Sequence, residues 1–251
     1  KLESKSNNNN NNNNNHDHIQ IDEYDDDGKA ISCCGGYGMH LDCFANETNP
    51  DVLEVMKRLR KMVNQEELNI DFVTDVQHDG IGILGGVDES TRRNLMLWLR
   101  ELCLFFCLSN GTYAMASSLV DRMLAATRVK IEHGDLAAMA CLYIASKLDE
   151  PEDLQPTLRE LSINSGGEFT ERDIDRMTQI VQRKVTGPLA VIPFDFVDDI
   201  LGLCRMLGAP DVVASAEFER VLIKRIVSCC GYYELLSFRP STLALGVFVL
   251  Q

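Results

Sequence analysis

No apolar run in these 251 residues reaches the ~18–20 residues that a membrane-crossing helix needs. No basic–apolar–small pattern opens the chain as a secretory leader would. The short patterns that carry catalysis are missing too: there is no phosphate loop, no GxGxxG and no GxSxG. The five histidines, His16, His18, His40, His78 and His133, stand apart from any nucleophile or metal spacing. The sequence therefore reads as a non-enzyme with no cofactor and no metal. Basic residues are in deficit, with 24 Lys plus Arg against 38 Asp plus Glu, a net charge of −14. The first thirty residues hold three bases and seven acids, so −10 belongs to the remainder. An acidic body repels phosphate, which argues against sequence-independent nucleic-acid binding. We expect neither a nucleic-acid nor a membrane partner.

Cysteine is present but unstructured by spacing. The nine are Cys33, Cys34, Cys43, Cys103, Cys107, Cys141, Cys204, Cys229 and Cys230. The count is odd, there is no CxxC, and several lie inside apolar helical patterns. A disulfide framework belongs to small, loop-rich secreted chains. These thiols read as reduced and intracellular. Cys103 and Cys107 share a helix face, where two small buried core residues are the simpler reading than a metal pair.

Residues 7–15 are nine consecutive asparagines, followed by an acidic stretch from Asp17 to Asp27. Such composition cannot build a core, so residues 1–49 are expected to be a disordered tail. Pro50 opens a helix with Asp51 and Glu54 near its positive end, running to about Glu67. Residues 68–87, with Gly80, Gly82, Gly85 and Gly86, read as a loop. From Asp88 the signal is helical almost throughout. The first helix, about Glu89 to Cys107, carries Leu95, Trp98, Leu99, Leu102, Phe105 and Phe106 at 3.6 spacing. Ser109-Asn110-Gly111 is expected to stop it and Thr112 to cap the second, to about Ala126. The third, Leu136 to Leu148, is apolar on every side and rich in alanine, the mark of a central buried helix. A short helix follows at about 154–161. A fifth, capped by Thr170 with Asp173, runs to Lys184. Residues 88–186 thus predict five helices around a central third. Residues 187–251 predict further helices at Phe194–Cys204, about Pro210 to Cys230, and after Pro240. Ala244 and Gly246 repeat Ala138 and Ala140 about 106 residues on, suggesting a second, partial copy. The chain opens on Lys1 and the second copy stops in its own third helix, so we expect the natural chain to be longer.

Five elements in order carry a resemblance. Arg92, Leu95, Trp98, Leu99 and Glu101 resemble the first-helix signature of the cyclin family. Leu119-Val120-Asp121-Arg122-Met123-Leu124 resembles its second-helix LDRFL element, and Ala145-Ser146-Lys147-Leu148-Asp149-Glu150 its ASK-x-EE element. Arg176-Met177 resembles the RME of the fifth helix, and Arg239-Pro240-Ser241-Thr242-Leu243-Ala244 the PS-x-(I/L)A of the second box. The first helix and the tail lean toward D-type or G1-like cyclins. The resemblance implies an all-α fold: a cyclin-box five-helix bundle around a central helix, then a second, incomplete cyclin-like bundle. It also implies a regulatory subunit that binds and activates a cyclin-dependent protein kinase in the nucleus and cytoplasm. The alternative is a cyclin-box scaffold or adaptor that activates no kinase.

By the same resemblance Lys147, Leu148, Glu150, Ile144 and Met177 are kinase-binding, and Arg92 with Asp121 is a buried structural pair. Thr178 stands where the family has the Glu of RME, and Asp175, one turn earlier on what we read as the same face, is its candidate substitute. The family's substrate-docking strip maps to Thr91, Asn94, Leu95, Trp98 and Glu101, where two apolar members have become polar and the strip is degraded. Leu41-Asp42-Cys43 approaches the LxCxE peptide by which some D-type cyclins dock on pocket proteins. Its acid, Glu47, comes two positions late, so a pocket protein stands only as a secondary partner.

Overall fold

The computed structural model describes residues 23–24, 30–31, 49–78, 87–187, 189–213 and 215–250. The chain divides into two compact units, Lys1–Thr48 and Asn49–Gln251. In the first, β1 (Glu23–Tyr24) and β2 (Ala30–Ile31) pair antiparallel, with Glu23 opposite Ile31 and Tyr24 opposite Ala30. Those four residues depart from the expected disordered tail. The rest of that expectation, the asparagine tract and Leu41–Glu47 included, lies outside the described residues.

The second unit is helical: α1 (Pro50–His78), α2 (Glu89–Phe105), α3 (Asn110–Ala126), α4 (Gly134–Asp149), α5 (Leu158–Asn164), α6 (Glu171–Lys184), α7 (Pro193–Met206), α8 (Ala216–Cys229) and α9 (Pro240–Val249). Short 3₁₀ turns at Ile131–His133 and Tyr233–Ser237 lead into α4 and α9. No described helix is long and apolar enough to cross a membrane. Helix α1 runs eleven residues past the expected end at Glu67, because nothing stronger than weak helix formers interrupts the backbone before Gly80.

Helix α4 is the axle of the first bundle. Ala137, Ala138, Met139, Ala140, Cys141, Leu142 and Ala145 are all buried, and α2, α3 and α6 pack around it. Ile144 is half-buried. Small side chains let the neighbouring backbones approach on several sides at once.

Local chemistry sets the helix ends. Asp88 caps α2 through the Thr91 amide at 2.7 Å. Helix α2 closes in a Schellman turn: Cys107 takes a left-handed φ of 56°, and the Leu108 amide donates to Cys103 O at 2.8 Å. Ser109 therefore does not stop α2. It caps α3, accepting from the Thr112 amide at 2.9 Å, and Asn110 and Gly111 belong to the first turn of α3. Helix α5 starts later than expected, after Pro156, where Thr157 and Glu160 form a capping box. Thr170 and Asp173 form the expected box at the head of α6.

The second group of helices is smaller. Val197, Leu201, Leu222 and Ile226 form its core, with Phe194, Phe218, Val247 and Phe248 against it. Helix α8 begins at Ala216, capped by Ser215, six residues beyond the Pro210 expected from the sequence. Helix α9 buries Ala244, while Leu245, Val249 and Leu250 are exposed. The apolar-all-round composition it shares with α4 is thus buried on one side only.

Helix α1 reaches both groups. It packs on α3 and on α7. Arg58 pairs both oxygens of Asp199, with Nε donating to Oδ2 at 2.8 Å. Glu66, only 1% exposed, accepts from the amide and the hydroxyl of Ser241 in the first turn of α9, the hydroxyl at 2.7 Å. A carboxylate there meets unpaired N–H groups and the positive end of the helix dipole.

Candidate functional site

Three helices meet at Arg92. Its Nε donates to Asp121 Oδ1 at 2.6 Å and its Nη2 to Asp121 Oδ2 at 2.9 Å, tying α2 to α3 in a two-pronged pair. The guanidinium is buried, and its other N–H groups reach Cys230 O at 3.1 Å and Gly231 O at 3.3 Å beyond α8. Burial opposes the cation, Asp121 outweighs it, and Arg92 titrates above its usual range. The family motif points to the pair alone. The link to residues 230–231 is invisible in the sequence because it spans about 139 positions.

The C-terminal turn of α4 leaves the core abruptly. Ala145 and Ser146 are buried, whereas Lys147, Leu148 and Asp149 are exposed, Leu148 at 54%. Lys147 Nζ sits 5.2 Å from the centre of the Tyr143 ring. The ring face and the negative helix end both favour a cation there. Glu150 is half-buried and engaged within the chain. Its Oε1 accepts from the Ser109 amide at 2.6 Å and lies 2.6 Å from the Thr112 hydroxyl. Asp149 Oδ2 accepts from the Ser109 hydroxyl at 2.8 Å and lies 2.7 Å from Thr112 Oγ1. The two acids therefore fasten the end of α4 to the start of α3, which fixes the direction in which Lys147 and Leu148 project. The Ser109-x-x-Thr112 spacing was the only sequence signal for this joint.

On α6, Met177 is half-buried. Thr178 is 6% exposed and its hydroxyl donates to Ile174 O at 2.8 Å. Asp175 is exposed and accepts from Gln179 Nε2 at 3.0 Å. The two do not share an environment, as the sequence reading assumed. Thr178 turns into the core and Asp175 into solvent.

The expected strip on α2 also divides. Leu95 is core, 3% exposed, and packs on Gly134, where an added Cβ would stand 3.5 Å from its methyl groups. Trp98 is half-buried against the same core, Thr91 is half-exposed, and Asn94 and Glu101 are exposed. The apolar surface that α2 does present is Leu97, Leu104 and Phe105. Phe105, which continues the helical spacing of Leu95 and Leu102, is 68% exposed in the last turn of α2 instead of joining the core.

Comparison with known proteins agrees with this architecture. A family model described as "Cyclin, N-terminal domain" matches residues 54–186, just over half of the chain. Cyclin-G1 of Bos taurus is 30% identical over 154 residues, covering 61% of this chain and 52% of that protein. Cyclin-I2 of Homo sapiens is 25% identical over 164 residues, 62% of this chain and 44% of that one. The chain spans about half the length of these relatives. The structure of a viral cyclin from herpesvirus saimiri shares the fold, with a TM-score of 0.57 at 20% identity over 66% of this chain and 70% of that one. The family model matches over half of the chain, the relatives and the fold agree with it, and the chain belongs to the cyclin family.

Proposed function

We propose that this chain is a regulatory subunit that binds a cyclin-dependent protein kinase and stabilises its active conformation. The observation that carries the reading is the pair Lys147 and Leu148, a cation and a large apolar side chain exposed side by side at the end of the buried α4. They project from a turn held by Asp149 and Glu150, so a partner would meet them preordered. The chain itself performs no chemistry. Its effect is selective affinity for one conformation of the kinase. Ile144 and Met177, both half-buried, support the contact from beneath.

The experiment is titration of the full chain against a purified cyclin-dependent kinase, with phosphorylation of a histone substrate followed in parallel. Lys147→Ala removes the cation that would donate a charge-assisted hydrogen bond to the kinase, so affinity falls roughly ten- to hundredfold. Unchanged affinity in Lys147→Ala and Leu148→Ala removes the proposal. A second reading, an adaptor that binds without activating, is favoured by Thr178, a buried neutral hydroxyl where the family signature has a carboxylate. Binding without any rise in histone phosphorylation selects that reading.

A further inference from the structure

One face of α8 is unlike the rest of this acidic protein. Ala216, Glu219, Arg220, Ile223, Lys224 and Val227 recur at helical spacing, and together with Arg100 and Asn110 they line a groove of about 370 Å³. Two of its cations are held in place. Arg100 Nη1 donates to Asn110 Oδ1 at 2.9 Å, and its guanidinium lies 5.4 Å from the Tyr113 ring centre. Arg220 is engaged by Glu217 at 2.6 Å. Glu219, the acid in the lining, is occupied by Arg205 at 2.8 Å. Arg100, Arg205, Arg220 and Lys224 against Glu217 and Glu219 leave a local charge of +2 in a chain carrying −14. The surplus is spread rather than focused. Ala216 to Val227 span about 16 Å of helix, and the apolar Ile223 lies between Arg220 and Lys224.

We propose that this groove docks an acidic segment of a partner protein, in which an apolar residue is flanked by carboxylates. The apolar residue would rest on Ile223 and Val227, and the carboxylates would meet Arg220, Lys224 and Arg100. Spacing favours separate carboxylates over a single phosphate, which would concentrate its charge at one point. Arginine geometry suits two-pronged carboxylate contacts, and a groove of net positive charge in an acidic body steers an acidic segment to this place. The groove is lined by none of the residues assigned to kinase binding.

The test uses the full chain and a dye-labelled peptide with the core Glu-Asp-Leu-Asp-Glu, read by anisotropy. Its amide analogue, Gln-Asn-Leu-Asn-Gln, and a version with one phosphoserine in place of the acids run alongside. The acidic peptide should bind at least about tenfold more tightly than the amide analogue, and weaken as salt rises through the range where the Debye length contracts below about 5 Å. Arg220→Ala and Lys224→Ala should each weaken it about five- to tenfold, since both sites are exposed and partly screened. Arg172→Ala, which removes an exposed charge of the same sign from α6, should leave it unchanged. Circular dichroism of each variant checks that the helices persist. Equal binding of the amide analogue, an equal loss in Arg172→Ala, or binding of the phosphoserine peptide alone would each overturn the assignment.

Discussion

Replacing Asp121 by alanine isolates the joint on which α2, α3 and the turn after α8 depend. Arg92 would keep its burial, with its side chain 3% exposed, and lose the carboxylate that holds two of its N–H groups. An uncompensated buried charge costs about 3–5 kcal/mol. Arg92→Met should cost somewhat less, about 2–4 kcal/mol, because the Asp121 side chain is 18% exposed and retains contact with water. It would, however, also release the carbonyls of Cys230 and Gly231. The double variant Arg92→Met with Asp121→Leu exchanges the pair for apolar packing. It should therefore cost less than either single change, so that in a cycle closed by Asp121→Leu alone the coupling is at least as large as the costlier single change, about 3–5 kcal/mol. The assay is urea denaturation of the full chain, followed by far-ultraviolet circular dichroism and by fluorescence of Trp98, the single tryptophan, which lies on α2 less than two turns from Arg92. Coincident transitions license a two-state free energy. A cost below about 1 kcal/mol for Asp121→Ala, or additive costs in the double variant, would refute the reasoning.

Four further outcomes are expected. Glu66→Ala strips the buried acceptor from the Ser241 amide and hydroxyl, so stability should fall by about 1–3 kcal/mol and amide exchange in α9 should accelerate before that in α4. Thr178→Glu should lower stability by several kcal/mol in the same denaturation assay, because it forces a carboxylate into a site 6% exposed. Burial pushes the Cys103 and Cys230 thiols up to about 12 and raises Cys141 as well, so at pH 8 peptide mapping after alkylation should find Cys107, which is exposed, labelled well ahead of those three. Asp173 is held below its ordinary 3.8 by the Thr170 hydroxyl and amide. Its contribution is therefore present above that pH and lost as pH falls through the depressed folded value. Asp173→Asn should accordingly loosen the first turn of α6 near pH 6 and have no effect well below the carboxylate range, as read by amide exchange corrected for pH.

Periodicity and capping read well from the sequence because both are local. The 3.6 spacing of Leu95, Leu99 and Leu102 and the Thr170–Asp173 box placed α2 and α6 with little error. Composition alone marked α4 as the axle, since a helix apolar on every side has no other stable place. Where two local signals competed, the reading slipped. Ser109-Asn110-Gly111 looks like a stop and is a start, because Cys107 had already turned the chain. The glycines near residue 80 suggested a loop from residue 68, but the weak helix formers before them still complete α1 to His78, and the glycines themselves lie outside the described residues.

The order of motifs along the chain thus singled out Arg92, Asp121, Lys147 and Leu148 as candidates. It did not determine their roles. Whether a side chain meets solvent or another helix depends on which elements cover it, and that is decided by packing between segments far apart in sequence. Only the tertiary structure turned Thr178 inward to Ile174 and Asp175 outward. It gave Glu150 to Ser109 and Glu66 to Ser241, 175 positions away. A hydrogen bond across that distance has no local pattern to announce it, because its partners are brought together by the burial of α4 and the reach of α1 rather than by any property of their own neighbours.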